Sequence, residues 1–151
     1  MKETEKAYLA GFIDGEGTIT ANFRMTSRSL KEAVHYRIML PNTNKDILDY
    51  LQGKWGGRVY LMAKPRSPRH KQVHYIYWGG KAADPVLEAI LPYLHIKKRQ
   101  AEIALLLSEL SLPRGKMRRA GVTPEHHEKR KYLVAEMTKL NHRGVLIEGE
   151  V

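Results

Sequence analysis

Cysteine is absent from the 151 residues, which removes disulfides, thiolate metal sites and cysteine nucleophiles together. No apolar run approaches the length of a membrane span, and the opening Met1-Lys2-Glu3-Thr4-Glu5-Lys6 lacks the apolar centre of a signal peptide. The expectation is a soluble intracellular protein, in the cytoplasm or an organelle matrix. Acids are scarce beside bases: 16 Asp and Glu face 26 Lys and Arg, for a net charge of +10. That imbalance points to a polyanionic partner. None of the seven histidines falls in a His-Glu-x-x-His pattern, and His126-His127 sit in a charged stretch, so solvated or phosphate-facing histidines are expected rather than zinc ligands. The length fits one compact domain over 1–151, with a core over about 4–110 and a C-terminal basic loop and helix over about 113–142.

What is present is concentrated in Tyr8-Leu9-Ala10-Gly11-Phe12-Ile13-Asp14-Gly15-Glu16-Gly17, a helix of small and apolar residues that stops at a carboxylate. Ala7, Gly11 and Gly15 recur every four residues, so one stripe of the helix carries almost no side-chain bulk. A glycine in a helix interior costs roughly 1 kcal/mol relative to alanine, so two of them require a compensating close contact. A second copy of the same helix would supply it. Asp14 and Glu16 stand at the helix C-terminal end, where the macrodipole disfavours negative charge and a bound cation would relieve it. Gly17 is expected to end the helix in the left-handed conformation.

Beyond the helix, alternation places Ile19, Ala21, Phe23 and Met25 on one face of a strand and Thr18, Thr20, Asn22, Arg24 and Thr26 on the other. After a turn over Ser27 to Lys31, Val34, Tyr36, Ile38 and Leu40 mark a second strand with His35 and Arg37 opposite. Thr43 or Asn44 caps a helix carrying Ile47, Leu48 and Leu51, broken by Gly53, Gly56 and Gly57. A second hairpin follows. Val59 and Leu61 alternate with Arg58, Tyr60, Met62 and Lys64, and Val73, Tyr75 and Tyr77 alternate with Gln72, His74, Ile76 and Trp78. Its connection, Pro65 to Lys71, is proline-rich and basic. Asp84 is expected to cap a helix with Pro85 at its first position, and a further helix over about Lys97 to Leu110 buries Ile103, Leu106, Leu107 and Leu110. A basic loop with Arg114, Lys116, Arg118 and Arg119 leads to a last helix from Thr123-Pro124-Glu125, packed through Tyr132, Leu133, Met137 and Leu140.

The fold expected is α+β, an αββαββα core whose four-stranded antiparallel sheet is covered on one face, plus C-terminal helices. The other face is free to bind. Its threonine, asparagine, arginine and histidine side chains mix donors, acceptors and cations, the combination that reading base edges in a major groove requires.

Leu9-Ala10-Gly11-Phe12-Ile13-Asp14-Gly15-Glu16-Gly17 closely resembles the motif of the LAGLIDADG homing endonucleases. The resemblance continues through Asn42-Thr43-Asn44-Lys45 with Ile47-Leu48, and through Leu91-Pro92-Tyr93-Leu94 with Lys97-Lys98-Arg99-Gln100-Ala101. One motif copy implies the homodimeric subgroup, with Ala7, Ala10, Gly11, Asp14 and Gly15 at the dimer axis and two sheets forming a saddle on double-stranded DNA. The resemblance implies metal-dependent cleavage of both strands of a long, partly palindromic site with 3′ overhangs. Glu16 and the Gly15 carbonyl would hold Mg²⁺, with Mn²⁺ or Ca²⁺ substituting for binding. Asn42 would orient water, Lys97 would be the active-site lysine, and Asp14 would be structural. The terminal acid is Glu where the namesake motif has Asp, and no arginine matches the second basic position, for which Lys45 is the candidate. The DNA-binding set comprises Thr18, Thr20, Asn22, Arg24, Thr26, Arg28, His35, Arg37, Arg58, Tyr60, Met62, Lys64, Arg66, Arg69, Lys71, His74 and Ile76. The alternative is a non-cleaving relative, an intron RNA maturase or a transcription regulator. A plain oligomerisation domain would explain the glycine stripe but not the basic face.

Overall fold

The computed structural model describes residues 1–26, 29–65, 67–111 and 123–142, the side chains of 25–32 excepted. The elements run α1 (Glu3–Glu16), β1 (Thr18–Thr26), β2 (Ser29–Asn42), α2 (Lys45–Trp55), β3 (Arg58–Leu61), β4 (His74–Gly79), α3 (Asp84–Ile90), α4 (Lys98–Glu109) and α5 (Pro124–Asn141). The four strands form one antiparallel sheet in the order β1-β2-β4-β3. The expected α+β order is borne out.

Local chemistry sets the boundaries. Glu5 accepts the Lys2 N–H at 3.2 Å and, with Glu3, puts negative charge in the first turn of α1. Asn44 is the cap of α2, its Oδ1 accepting the N–H groups of Asp46 and Ile47 at 3.0 and 3.4 Å. At the other end, Gly56 (φ 67°) closes the helix by donating to the Gln52 carbonyl at 2.9 Å. Gly57 must be glycine twice over: its φ is 87°, and a Cβ there would sit 2.7 Å from Trp78 Nε1. That indole N–H donates to the Trp55 carbonyl at 3.1 Å and so pins the end of α2 to β4.

One sheet face is the core. Ile19 and Ala21 of β1, Tyr36, Ile38 and Leu40 of β2, and Ile76 and Trp78 of β4 are buried against Leu9 and Ile13, Leu48 and Leu51, Val86, Leu87 and Ile90, and Ile103, Ala104 and Leu107. α5 lies along β1, and Asn141 Nδ2 donates to the Ile19 carbonyl at 2.8 Å. A forked pair from Arg99 to Glu136 (2.7 and 3.0 Å) ties α5 to α4.

Several expectations need correction. Along β4 it is Ile76 and Trp78 that point inward, while Tyr75 and Tyr77 lie on the outer face. Both sets are apolar, so alternation alone could not orient the strand. Pairing of Val59 and Leu40 with Ile76 decides it. Gly17 has φ −81° and ψ 170°, not a left-handed backbone. Its reason is space, because a Cβ would lie 2.9 Å from the Ile13 Cα. Ala83, not Asp84, is the cap of α3. Asp84 instead accepts the Tyr36 hydroxyl at 2.7 Å and the Ser108 hydroxyl at 2.5 Å, joining β2, α3 and α4. Burial first, and the Asp84 carboxylate after it, push the Tyr36 phenol well above its ordinary range. Tyr132 and Leu140 are exposed, leaving Leu133 and Met137 as the packed face of α5, and Leu106 and Leu110 are only partly buried.

Candidate nucleic-acid interface and catalytic centre

The motif helix has two faces with separate work. Leu9, Ala10, Ile13 and Asp14 turn inward, whereas Ala7, Tyr8, Gly11, Gly15 and Glu16 are exposed. Of the residues expected at a dimer axis, Ala7, Gly11 and Gly15 therefore form an open stripe, and a Cβ built on Gly11 or Gly15 meets nothing within 4 Å. Ala10 and Asp14 do not belong to that stripe. Ala10 is fully enclosed in the chain's own core, and Asp14 is 9% exposed.

Asp14 is spent inside the chain. Its Oδ2 accepts the N–H groups of His95 and Ile96 at 2.8 and 3.2 Å, and its Oδ1 accepts that of Lys97 at 2.9 Å. The Lys97 ammonium donates in turn to the Asp14 main-chain carbonyl. Burial alone would raise the Asp14 carboxyl, but the three N–H groups and the Lys97 charge outweigh it and hold it below the usual carboxylate range. This clasp brings Lys97, 83 residues away in sequence, to the C-terminal end of α1, the end that Glu16 terminates. Local sequence pattern does not link Lys97 to Asp14, because the hydrogen bonds that couple them cross 83 residues.

Glu16 is the last residue of α1 and is exposed. At a helix C-terminus the last carbonyls have no following helical N–H. Gly17 N–H takes the Ile13 carbonyl at 2.9 Å and Lys97 takes that of Asp14, while Gly15 and Glu16 carry the next two. Asn42 is the last residue of β2. Since Thr18 pairs with Met39, the run to Asn42 passes the start of β1 at the same end of the sheet as Glu16. Its Oδ1 accepts the Asn44 N–H at 2.8 Å. Lys45 opens α2 and pairs with Asp49 at 2.6 Å. Among the described residues no group of three or more His, Asp or Glu could hold a metal ion; with Asp14 engaged by three main-chain N–H groups, Glu16 is the exposed carboxylate at the end of α1.

The outward sheet face carries Thr18, Thr20, Asn22 and Arg24 on β1, His35, Arg37 and Met39 on β2, Tyr75 and Tyr77 on β4, and Arg58 and Tyr60 on β3. No carboxylate stands among them. Arg37 Nε donates to Thr20 Oγ1 at 3.1 Å, which orients its guanidinium on the face. Burial first, and then the charges of Arg24 and Arg37, push the His35 imidazole below its ordinary range. Its Nε2 lies 3.4 Å from the Tyr77 hydroxyl. Ile76 is fully buried, and His74 shares its side of β4, so neither lies on this face as expected. Tyr75 and Tyr77 take their place. Met62, Lys64, Arg69 and Lys71 follow in the described part of the β3–β4 connection, where Met62 N–H donates to the Val73 carbonyl at 2.9 Å. Arg28, Arg66, the Thr26 side chain and the basic stretch with Arg114, Lys116, Arg118 and Arg119 lie outside the described residues.

No protein-family profile matches the chain, and no curated protein sequence is similar to it. Solved structures are similar. The homing endonuclease I-CvuI, in complex with the I-CreI target in the presence of Mg, is 25% identical at a TM-score of 0.73, covering 96% of this chain and 87% of that one. The archaeal intron-encoded homing endonuclease I-Vdi141I, complexed with DNA, is 17% identical at 0.72, covering 96% and 89%. The LAGLIDADG homing endonuclease I-LtrWI, bound to target DNA, is 18% identical at 0.66, with 87% of this chain covering 43% of that one. The architecture is thus that of the homing endonucleases. More particularly it is the LAGLIDADG fold, and the resemblance read from Leu9 to Gly17 is borne out. No helix among the described residues is long and apolar enough to cross a membrane.

Proposed function

We propose that the chain is a site-specific DNA endonuclease that works as a homodimer and hydrolyses one phosphodiester on each strand of a partly palindromic site. The observation that carries this reading is the clasp at the end of α1, where Asp14 seats Lys97 at the same helix end as the exposed Glu16, bordering a sheet face whose described side chains include cations and no carboxylate. A mere DNA binder gains nothing from a carboxylate there, since it repels phosphates. The oxygen-only donor set of Glu16 and the Gly15 carbonyl fits Mg²⁺, which keeps several waters and takes few protein ligands. Glu reaches one methylene further than Asp from the same backbone, so the cation would be held slightly farther from α1. When bound, such a cation supplies Lewis-acid neutralisation of the scissile phosphate.

The chain's own residues do the rest. Lys97 stabilises the charge that develops on the phosphoryl oxygens. Asn42, through its amide nitrogen, orients the attacking water, its oxygen being engaged by Asn44. Lys45 is the second basic group, and taking that role requires it to leave Asp49. A second copy packs on the Ala7, Gly11 and Gly15 stripe and supplies the second carboxylate. This chain covers 87% and 89% of two neighbours but 43% of a third, about twice as long, which supports an assembly of two such units. No observation favours the intron RNA or regulator alternative.

The test is cleavage of a large random-sequence duplex library by the wild type and Glu16→Gln, with Mg²⁺ and with chelator, the new ends being sequenced. The expected result is metal-dependent ends at one partly palindromic sequence with short 3′ overhangs, absent with the variant. Cleavage retained by Glu16→Gln, or enrichment by binding with no ends at all, would overturn the assignment.

A further inference from the structure

The outward sheet face is divided, and the division was not visible in the sequence. Reading across paired strands, the end nearest Glu16 presents Met39 beside Tyr77, then Pro41 beside Tyr75 and Tyr75 beside Tyr60. The far end presents Thr20 with Arg37 and Asn22 with His35, and Arg24 beyond them. The near end is mainly aromatic and apolar, with Thr18 beside Met39 and Arg58 beside Tyr77 as its polar members, whereas the far end is polar and cationic.

The aromatic end is built rather than incidental. The Tyr60 and Tyr75 rings stack at 5.4 Å with planes 29° apart, and Tyr77 meets Tyr60 edge-on at 6.4 Å. Tyr77 is laid over the strand toward His35, a posture that requires glycine at 79, where a Cβ would come within 2.7 Å of the ring. Its hydroxyl faces His35 Nε2. Tyr60 is still 39% exposed, so the cluster keeps an open apolar surface.

The only apolar group on a base edge in the major groove is the 5-methyl of thymine, whereas guanine O6 and N7 suit arginine and adenine N6 and N7 suit asparagine. We infer that the Tyr60, Tyr75 and Tyr77 cluster reads thymine methyl groups in the base pairs next to each cut, while Asn22, Arg24 and Arg37 read hydrogen-bonding edges farther out. The inference rests on the DNA-cleaving reading above and specifies what each half-site contains.

Sites are recovered from random duplex by binding in Ca²⁺, with no need for cleavage, and resynthesised with deoxyuridine for thymidine one position at a time. Near the centre, each methyl removed by uracil should weaken binding about fourfold, the worth of one buried methyl-sized group. At outer positions the same change should be neutral. In Tyr60→Ala, which alters an exposed side chain of an edge strand, the inner penalty should shrink while outer mismatch penalties persist. Inner positions without thymine, or a uracil penalty that is absent, spread over the whole site or unaltered in Tyr60→Ala, would overturn the inference while leaving the selected site as support for sequence-specific binding. Failure to enrich any sequence would instead remove the DNA reading, and this inference with it.

Discussion

Replacing Asp14 by asparagine perturbs the clasp with almost no change of volume. The carboxylate accepts three main-chain N–H groups, at 2.8 and 3.2 Å on one oxygen and 2.9 Å on the other. An amide offers one oxygen, so its NH₂ must confront at least one N–H. Losing one hydrogen bond to a charged group costs roughly 1.5–3 kcal/mol, and the surviving bonds weaken once the charge is gone. A total of about 3 kcal/mol follows, which for a chain of this size lowers Tm by roughly 6–12 °C. Because folding lowers the Asp14 pKa, its ionic stabilisation is complete above the unfolded value and is lost as pH falls through the lower folded one. The gap between wild type and variant should therefore hold from pH 7 to about 4 and close only in stronger acid. Urea denaturation across that range is the assay, with cleavage measured at a temperature where the variant is still folded. Lys97 loses its seat, so activity should fall there as well. A stability loss under about 1 kcal/mol at pH 7 would refute the clasp as a structural device.

Gly17→Ala should destabilise by about 1–3 kcal/mol, because its Cβ would strike the Ile13 backbone at 2.9 Å; with φ at −81°, a gain in Tm would show that space is not what selects glycine. A Cβ at Gly11 meets nothing within 4 Å in its own chain, so Gly11→Val should largely spare the fold while abolishing the dimer, and sedimentation showing an intact dimer would remove that interface. Ile76→Ala should lower stability by about 2–5 kcal/mol as a core cavity, measured by chemical denaturation, and unchanged stability with weakened DNA binding would return Ile76 to the outer face.

Where residue types contrast, the sequence alone was readable. Ile19 and Ala21 against Thr20 and Asn22 leave no choice of face, and Asn44 announces the start of α2 by its own chemistry. In β4 the contrast fails, since Tyr75 and Tyr77 are as apolar as Ile76 and Trp78, and only long-range pairing settles the parity. The motif helix was legible as a helix with a small-residue stripe. The partner of Asp14 was not, because local pattern carries no trace of N–H groups more than 80 residues away. Gly17 and Asp84 were given their commonest uses, cap and N-cap, whereas tertiary packing employs one for clearance and the other as an acceptor for Tyr36 and Ser108.

The seam between α5 and β1 bears on how the chain is made. β1 is an edge strand of the sheet, and one contact that fastens α5 to it, Asn141 to Ile19, spans 122 residues, with Phe23 meeting the His127 ring as another. During synthesis β1 can pair with β2 at once, yet its outer edge stays uncovered until α5, as far as Asn141, has emerged. An open edge templates association with other chains, and contacts of such long sequence separation form late. A chain cut short before Pro124 would keep its sheet and its Asp14 clasp but would have to be sheltered from its own neighbours.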